Sequence, residues 1–218
     1  MPNRNTIVVV GGDIYYAKPF VDFGRVTSDT SQIVERPEEI AFAIFTGGED
    51  VDPSYYGEAI GGRTGCNPAR DRREAAVFNL AKKRNVPMVG ICRGSQFLCV
   101  MNGGRLAQHI AKHAIGGQHT IRTHDGRLIE VTSTHHQMQL PPPDATVIAV
   151  AEPRLSGTYL NGDDNEIDPR PEHEYEAVFY PTTRSLAIQW HPEYMDSGSD
   201  GFLYAVQLVR EFILGQKE

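Results

Sequence analysis

The chain has 218 residues, of which 40% are hydrophobic, and it carries a formal net charge of −7 at pH 7. That length and apolar content suffice for one compact domain with a substantial core, and we predict a single domain over residues 1–218. An acidic chain repels phosphate backbones and anionic lipid surfaces, which argues against nucleic-acid and membrane partners.

The cysteines and the N-terminal region indicate the compartment. Cys66, Cys92 and Cys99 are the three cysteines, and an odd, small number is typical of a reducing environment without a disulfide framework. The apolar run at residues 7–10 is too short for a signal peptide, and no other run approaches membrane-spanning length. We therefore predict a cytoplasmic protein.

Strand and helix signals alternate in the first half of the chain. Apolar runs at residues 7–10, 41–45 and 86–91 predict buried strands. Helices are predicted over residues 68–84, with Asn67 as the N-cap, and over residues 93–101. This order predicts a parallel sheet covered by helices on both faces. The first helix is expected to bury one apolar face, formed by Ala76, Val77, Leu80 and Ala81.

The second half has mostly strand signals. The stretch "TIRTHDGRLIEVTST" predicts a hairpin that turns at Asp125-Gly126. Further strands are predicted at residues 146–151, 175–180 and 185–190, and an amphipathic helix at residues 201–214. The polar, acidic stretch at residues 161–174 is predicted to be an exposed loop.

A cysteine lies at the junction of a predicted strand and helix, in the pattern G-x-C-x-G formed by Gly90, Cys92 and Gly94. Glycines permit the close backbone approach that a sharp strand-to-helix turn requires. Such a turn would raise the thiol above the sheet edge, at a helix N-terminus that favours thiolate. The alternative is an inert, buried cysteine in a glycine-rich turn. Cys99 is predicted to pack in the core, and Cys66 has no evident base beside it.

A base and an orienting group follow the strand in "SLAIQWHPEY". His191 comes directly after the strand, and Glu193 lies two residues further on. In extended geometry both side chains would project from one face. The carboxylate could then hold the imidazole in the tautomer that faces a thiol.

These motifs resemble a known superfamily. G-I-C-R-G-x-Q and Q-W-H-P-E are similar to the class I glutamine amidotransferases, and "TGGEDVDPSYYGE", "NPARDRRE" and "STHHQ" resemble the γ-glutamyl hydrolase branch, which contains γ-glutamyl-γ-aminobutyrate hydrolases. The resemblance covers about residues 45–193. It implies a flavodoxin-like three-layer α/β/α sandwich around a mainly parallel sheet, with Cys92, His191 and Glu193 as a catalytic triad.

The resemblance also implies further site residues. The backbone amides of Gly48 (with Gly47 as the near alternative) and Arg93 correspond to the oxyanion hole, where two converging amides are worth several kcal/mol in the transition state. The residues that correspond to substrate contacts are Gly47, Gln96, His135, His136 and Gln137, within a loop that also includes Ser133 and Thr134.

The implied activity is a cysteine-dependent amidohydrolase that cleaves a γ-glutamyl amide, a small molecule, through a glutamyl thioester. If the amine released is ammonia, the chain would be a glutaminase subunit with a separate synthetase as partner, since it has no P-loop of its own. A homodimer and a non-catalytic binding relative are further alternatives.

We predict no cofactor and no metal, but a metal-binding alternative rests on histidine spacing. His109 and His113 are four residues apart on what could be a helix, with His119 and His124 downstream. The pattern "HIAKH" lacks the glutamate of HExxH.

The acidic run at residues 163–166 has two interpretations. Charge runs are usually solvated loops. Alternatively, carboxylates at the mouth of the site would favour a cationic leaving amine, in a salt-dependent manner. In the longer segment at residues 152–174 the sequence departs from the pattern of the γ-glutamyl hydrolase branch, so the resemblance does not specify the leaving group.

Overall fold

The structure is a computed structural model that describes residues 4–216; the ends of the predicted domain, residues 1–3 and 217–218, lie outside the described part. The strands are β1 Thr6–Val10, β2 Arg25–Thr27, β3 Ile40–Phe45, β4 Met88–Ile91, β5 Arg105–Ala107, β6 His109–Ile110, β7 Ala114–Thr123, β8 Leu128–Thr134, β9 Met138–Leu140, β10 Thr146–Ala151, β11 Tyr159–Leu160, β12 Tyr175–Tyr180 and β13 Ser185–Ile188. The α-helices are α1 Gln32–Glu35, α2 Pro68–Lys83, α3 Arg93–Met101 and α4 Asp200–Leu208, which continues as a π-helical turn over Val209–Ile213.

Five short 3-10 helices complete the regular structure of residues 4–216: Ile14–Phe23, Pro37–Glu39, Pro53–Tyr56, Pro181–Thr183 and Pro192–Tyr194. None of the helices in this part of the chain combines the length and the apolar character that crossing a membrane requires.

One nine-stranded sheet runs through the molecule in the order β2-β1-β3-β4-β13-β12-β10-β7-β8. The pairs from β2 to β13 are parallel, and those from β13 to β8 are antiparallel. Cys92 and His191 lie just beyond the carboxyl ends of β4 and β13, which are adjacent parallel strands. In open α/β sheets this edge is where ligands bind.

Alternate side chains of the parallel strands pack on opposite faces of the sheet. Ile7 and Val9 belong to a core shared with α4, whereas Val8 and Val10 belong to a second core shared with α2 and α3. The sheet is therefore the middle layer of three, and the predicted helices on both faces are confirmed.

The buried face of α2 differs from the apolar face that the sequence predicts. Asn67 caps the helix as predicted, because its side chain accepts a hydrogen bond from the Arg70 amide at 3.2 Å. Ala76 and Leu80, however, are exposed. The buried residues are Arg70, Asp71, Glu74, Phe78 and Ala81. The helix can bury charges because, as described below, they pair with one another and with Arg93.

Two further predictions need correction. The residues around His109 form strands β5 and β6, so the helical histidine pair is wrong. The acidic stretch at residues 161–174 is only partly an exposed loop, because Glu174 at its end is buried. The hairpin of β7 and β8 and the strands β10, β12 and β13 are confirmed.

Candidate active site

Cys92 lies on a sharp turn between β4 and α3. It is the N-cap of α3 and has φ 53° and ψ −112°, a left-handed conformation that non-glycine residues rarely adopt. A Cβ on Gly90 would overlap the carbonyl oxygen of Gly94, and a Cβ on Gly94 would overlap that of Phe45. Both glycines are thus required by close packing, and the thiol is held at the N-terminus of α3.

His191 and Glu193 form a close pair. The imidazole Nδ1 lies 2.6 Å from Glu193 Oε1, and the Glu193 side chain is fully buried. Burial by itself lowers the pKa of His191, but interactions with the Cys92 and Glu193 side chains outweigh it and raise the pKa to about 10. His191 is therefore protonated at neutral pH, and its imidazolium lies beside the side chain of Cys92.

The backbone that brings this pair together is a tight turn, not the extended segment that the sequence predicts. β13 ends at Ile188, and Pro192–Tyr194 forms a 3-10 helix. Lys18 stabilises the turn, because its Nζ donates to the main-chain oxygens of Glu193, at 2.9 Å, and of Met195, at 3.1 Å. Pro192 is the first residue of this turn, and its ring fixes its φ at a value that suits a helical turn.

Two tyrosines pack around His191. The ring of Tyr194 stacks on the imidazole with centroids 4.8 Å apart, and the ring of Tyr16 lies 6.0 Å away. A Cβ on Gly47 would lie 2.6 Å from Tyr16 Oη and 3.1 Å from His191 Cε1, so only glycine fits there. Sequence reasoning missed Tyr16 and Lys18, because nothing near them in sequence signals their proximity to His191.

Arg70 holds the glycine loop that follows β3. Its Nη2 donates to the carbonyl oxygens of Thr46, at 3.1 Å, and Gly47, at 2.8 Å. Gly48 has φ +133°, and a Cβ there would overlap the guanidinium of Arg70. The loop that carries the predicted Gly48 amide donor therefore rests on a buried arginine.

The side chain of Arg93 belongs to the same buried network. Its guanidinium pairs with Asp71 and Glu74, and Glu74 Oε1 also accepts from Arg70 Nε at 2.7 Å. Glu74 thus bridges Arg70 and Arg93, so one carboxylate ties together the two segments that carry the predicted oxyanion amides.

Replacement of Glu74 by glutamine is expected to lower the free energy of unfolding by about 3 kcal/mol, because it removes the buried carboxylate charge that two buried guanidinium groups share. Glu49→Gln is the matched control: it also pairs with Arg70, at 3.5 Å, but its side chain is 54% exposed, and the expected loss is below about 1 kcal/mol. Urea denaturation measures both. Equal losses would show that the bridge has no special role in stability.

The predicted substrate-contact residues lie close to this network but have different environments. Gln96 is buried, and its Nε2 donates to the main-chain oxygen of Gln137 at 3.1 Å. His136 is partly exposed and lies 3.0 Å from Asp50 Oδ1. His135 is buried, with its Nε2 3.3 Å from Glu176 Oε1. Substrate contact by these residues stays a prediction. The buried imidazole of His135 lies against Glu176.

The other two cysteines lie in environments unlike that of Cys92. Cys99 is fully buried, as predicted, and burial raises its pKa to about 12. Cys66 is partly exposed, and burial together with the charges of Asp52 and Asp71 raises its pKa. Neither thiol has the setting of a neutral-pH thiolate.

The acidic run lines a surface cleft that does not include Cys92 or His191. Asp163, Glu166 and Asp168 border a cleft of about 420 Å³ together with Glu58 and Arg105. Asp163 and Glu166 are exposed. Their exposure is typical of a solvated loop, and selection of a cationic amine by these carboxylates stays a prediction.

Comparison with known proteins identifies the family. The family model described as peptidase C26 matches residues 24–155. The chain belongs to the peptidase C26 family. This confirms the predicted resemblance to the class I glutamine amidotransferase-like proteins.

Two relatives of this C26 chain bear names that describe function. The glutamine amidotransferase-like protein YvdE of Lactococcus lactis is 33% identical over 170 residues, which cover 69% of this chain and 64% of the relative. The γ-glutamyl-γ-aminobutyrate hydrolase PuuD of Escherichia coli is 27% identical over 162 residues, which cover 68% of this chain and 61% of the relative. The chain thus spans less than two thirds of the length of either.

Solved structures agree on the fold. A glutamine amidotransferase from Thermotoga maritima superposes with a TM-score of 0.59 at 16% identity, covering 96% of this chain and 86% of that one. The predicted flavodoxin-like fold is confirmed by this likeness and by the three layers around the sheet.

Proposed function

We propose that this C26 family member is a cysteine-dependent amidohydrolase that cleaves a γ-glutamyl amide through a glutamyl thioester. The observation that carries the proposal is the strained junction at Cys92 beside the His191–Glu193 pair, with its 2.6 Å contact. A cysteine held at positive φ next to a raised-pKa imidazole has the geometry of an activated nucleophile.

The chemistry follows from the protonation states. The Cys92 thiolate attacks the amide carbonyl carbon and forms a tetrahedral oxyanion. The imidazolium of His191 donates its proton to the leaving nitrogen, the C–N bond breaks, and the amine departs. Water then attacks the thioester with His191 as base, which releases glutamate and regenerates the thiol. Glu193 keeps the imidazole in the tautomer and orientation that both proton transfers need.

The backbone amides of Gly48 and Arg93 are proposed to bind the oxyanion. Arg93 is the first residue of α3, where amides lack partners within the helix and the helix dipole favours negative charge. The Arg70–Glu74–Arg93 network would keep both amides in place before the reaction, and preorganised donors contribute most.

The nature of the leaving amine decides between a free-standing hydrolase and an ammonia-supplying glutaminase subunit. The name of the E. coli relative favours a γ-glutamyl amine, and the name of the L. lactis relative favours glutamine. Of these two alternatives we propose the free-standing hydrolase, with γ-glutamyl-γ-aminobutyrate and related conjugates as the substrate class.

A panel of γ-glutamyl amides tests this assignment. We expect kcat/KM for γ-glutamyl amine conjugates to exceed that for glutamine by at least about tenfold, which corresponds to about 1.4 kcal/mol of transition-state binding. Amine release is measured for each compound, with the α-glutamyl isomers as controls. Preference for glutamine would favour the glutaminase subunit, and no turnover of any compound would contradict both.

The same panel tests the acidic run. A γ-glutamyl polyamine and a neutral γ-glutamyl amide are expected to respond alike to ionic strength, because Asp163 and Glu166 line a cleft separate from Cys92. A salt-sensitive preference for the polyamine that disappears on neutralising Asp163, Asp164 and Glu166 would show that these carboxylates select a cationic amine.

A further inference from the structure

Four buried side chains outside the proposed triad converge on one point between β7, β8 and β12. They are His113, His119, His135 and Glu176, each at most 5% exposed. One potential ligand atom from each lies within 4.8 Å of all the others. None of these side chains belongs to the proposed triad, although the family resemblance implies a substrate contact for His135. Imidazole and carboxylate are both ligands of divalent metals.

The distances around Glu176 have the dimensions of a coordination shell. Its Oε1 lies 3.4 Å from His113 Nδ1, 3.0 Å from His119 Nε2 and 3.3 Å from His135 Nε2. Zinc bonds of about 2.0–2.1 Å in tetrahedral geometry place neighbouring ligand atoms about 3.3 Å apart. The three oxygen–nitrogen distances therefore match the edges of such a tetrahedron, and all four ligand atoms lie within 4.8 Å of one another.

The hydrogen bonds of two imidazoles leave lone pairs aimed at the carboxylate. His113 Nε2 lies 3.0 Å from Glu174 Oε2, and His135 Nδ1 lies 2.9 Å from the main-chain oxygen of Gln137. Because both partners only accept, each of these nitrogens carries a hydrogen. The opposite nitrogens, which face Glu176, have no hydrogen-bond partner, and neither has Glu176 Oε2. Two acceptor atoms facing each other repel, so a proton or a metal cation has to lie between each of these nitrogens and the carboxylate.

The same contacts are the outer interactions typical of a metal site. Ligating histidines usually donate their other N–H to a carboxylate or a carbonyl oxygen, which fixes the tautomer. Glu174 does this for His113, and it is itself held by the amides of Leu155 and Ser156 and by the hydroxyl of Tyr159. These hydrogen bonds fix the position of Glu174 and thereby the orientation of the His113 ring.

The local charge also calls for a cation. Glu174 and Glu176 are both buried, and among residues 4–216 neither forms an ion pair with lysine or arginine. Imidazoles that bind a metal ion are neutral, so the two carboxylates would then contribute a charge of −2, which one divalent ion balances. A buried, uncompensated charge is costly.

From this cluster we infer that the chain binds one divalent transition-metal ion of the zinc class through His113 Nδ1, His119 Nε2, His135 Nε2 and the carboxylate of Glu176. Four protein ligands fill a tetrahedral shell, which is typical of a structural site and leaves no position for substrate. The site is separate from the proposed triad. With His135 as a ligand, its imidazole would bind the metal instead of substrate, and the metal would hold the loop of His136 and Gln137 to β12.

The metal content of the full chain, purified without a histidine tag, tests the inference. After chelation and dialysis, titration with Zn²⁺ is expected to show one tight equivalent per chain and to raise Tm by about 5 °C or more. Titration with Co²⁺ should give the intense visible absorption of four-coordinate cobalt. Glu176→Gln and His119→Gln should each abolish the tight equivalent.

Two histidines outside the cluster are the matched controls. His109→Gln and His124→Gln should retain the tight equivalent, because neither residue belongs to the four. Should both cluster variants fail to fold, the Co²⁺ spectrum of the unaltered chain decides, since the weak spectrum of hydrated, surface-bound cobalt would overturn the inference.

Three other outcomes would also overturn it. They are no saturable Zn²⁺ binding at equimolar metal, an unchanged Tm with Zn²⁺, and equal binding by the Glu176→Gln variant. In the first two, protons instead of a metal ion would fill the space between the imidazoles and the carboxylate.

Discussion

Cys92→Ala is expected to lower kcat for γ-glutamyl amide hydrolysis by roughly 10⁴–10⁶-fold, the loss typical of removing a triad nucleophile. Alanine keeps the Cβ, so the strained φ of 53° and the turn between β4 and α3 are retained. The variant should therefore fold with a free energy of unfolding within about 1 kcal/mol of the unaltered chain. Release of a chromogenic amine from a γ-glutamyl anilide measures the activity.

Cys99→Ala is the matched control, because it removes a buried thiol from the same helix. It should cost about 1 kcal/mol of stability and leave kcat unchanged. A glutamine-like electrophile should add to Cys92 and leave Cys66 unlabelled in mass spectrometry, since burial and nearby carboxylates raise the pKa of Cys66. Full turnover by the Cys92 variant would refute the thioester mechanism.

The junction at Cys92 is predictable from sequence because its causes are local. The glycines that permit the turn lie two residues to either side, and the strand and helix that meet there are short and apolar. The Asn67 cap and the β7–β8 hairpin are predictable for the same reason, since each depends on residues within a few positions.

The buried face of α2 is not predictable in this way. Periodicity assumes that charged residues face solvent, and it therefore selects Ala76 and Leu80 as buried. Glu74 is buried instead because Arg70 on its own helix and Arg93 on the next one neutralise it. The position of Arg93 relative to α2 follows from the packing of two helices on the sheet, which no local pattern specifies.

Helical spacing of histidines in the sequence does not find the histidine cluster. Four-residue spacing groups His113 with His109, but that spacing has no meaning on strands. Alternation is the informative pattern: His119, Ile121 and Thr123 share the buried face of β7. A histidine at a core-facing strand position predicts a buried polar partner, although the partner, Glu176, lies 57 residues away.

The roles of His191 and Glu193 are expected to be unequal. His191→Ala should lower kcat by roughly 10⁴–10⁶-fold, because both proton transfers pass through the imidazole. Glu193→Gln keeps the shape of the side chain and should lower kcat by roughly 10²–10⁴-fold, because the imidazole remains but loses its orienting charge. Steady-state amine release at saturating substrate measures both.

The pH profile of the Glu193→Gln variant distinguishes loss of the charge that orients His191 from structural damage to the site. The pKa of His191 is raised to about 10 by Cys92 and Glu193 against the effect of burial, so His191 is protonated at neutral pH and loses its proton as the pH rises towards that value. Activity should therefore decline on the alkaline side, where the leaving amine can no longer be protonated. Without the Glu193 charge the pKa of His191 falls, and the alkaline limb of kcat/KM should move to lower pH.

A Glu193→Gln variant with reduced kcat but an unshifted limb would indicate structural damage. Unchanged kcat and an unshifted limb would show that another carboxylate orients His191, although Glu193 Oε1 lies only 2.6 Å from its Nδ1.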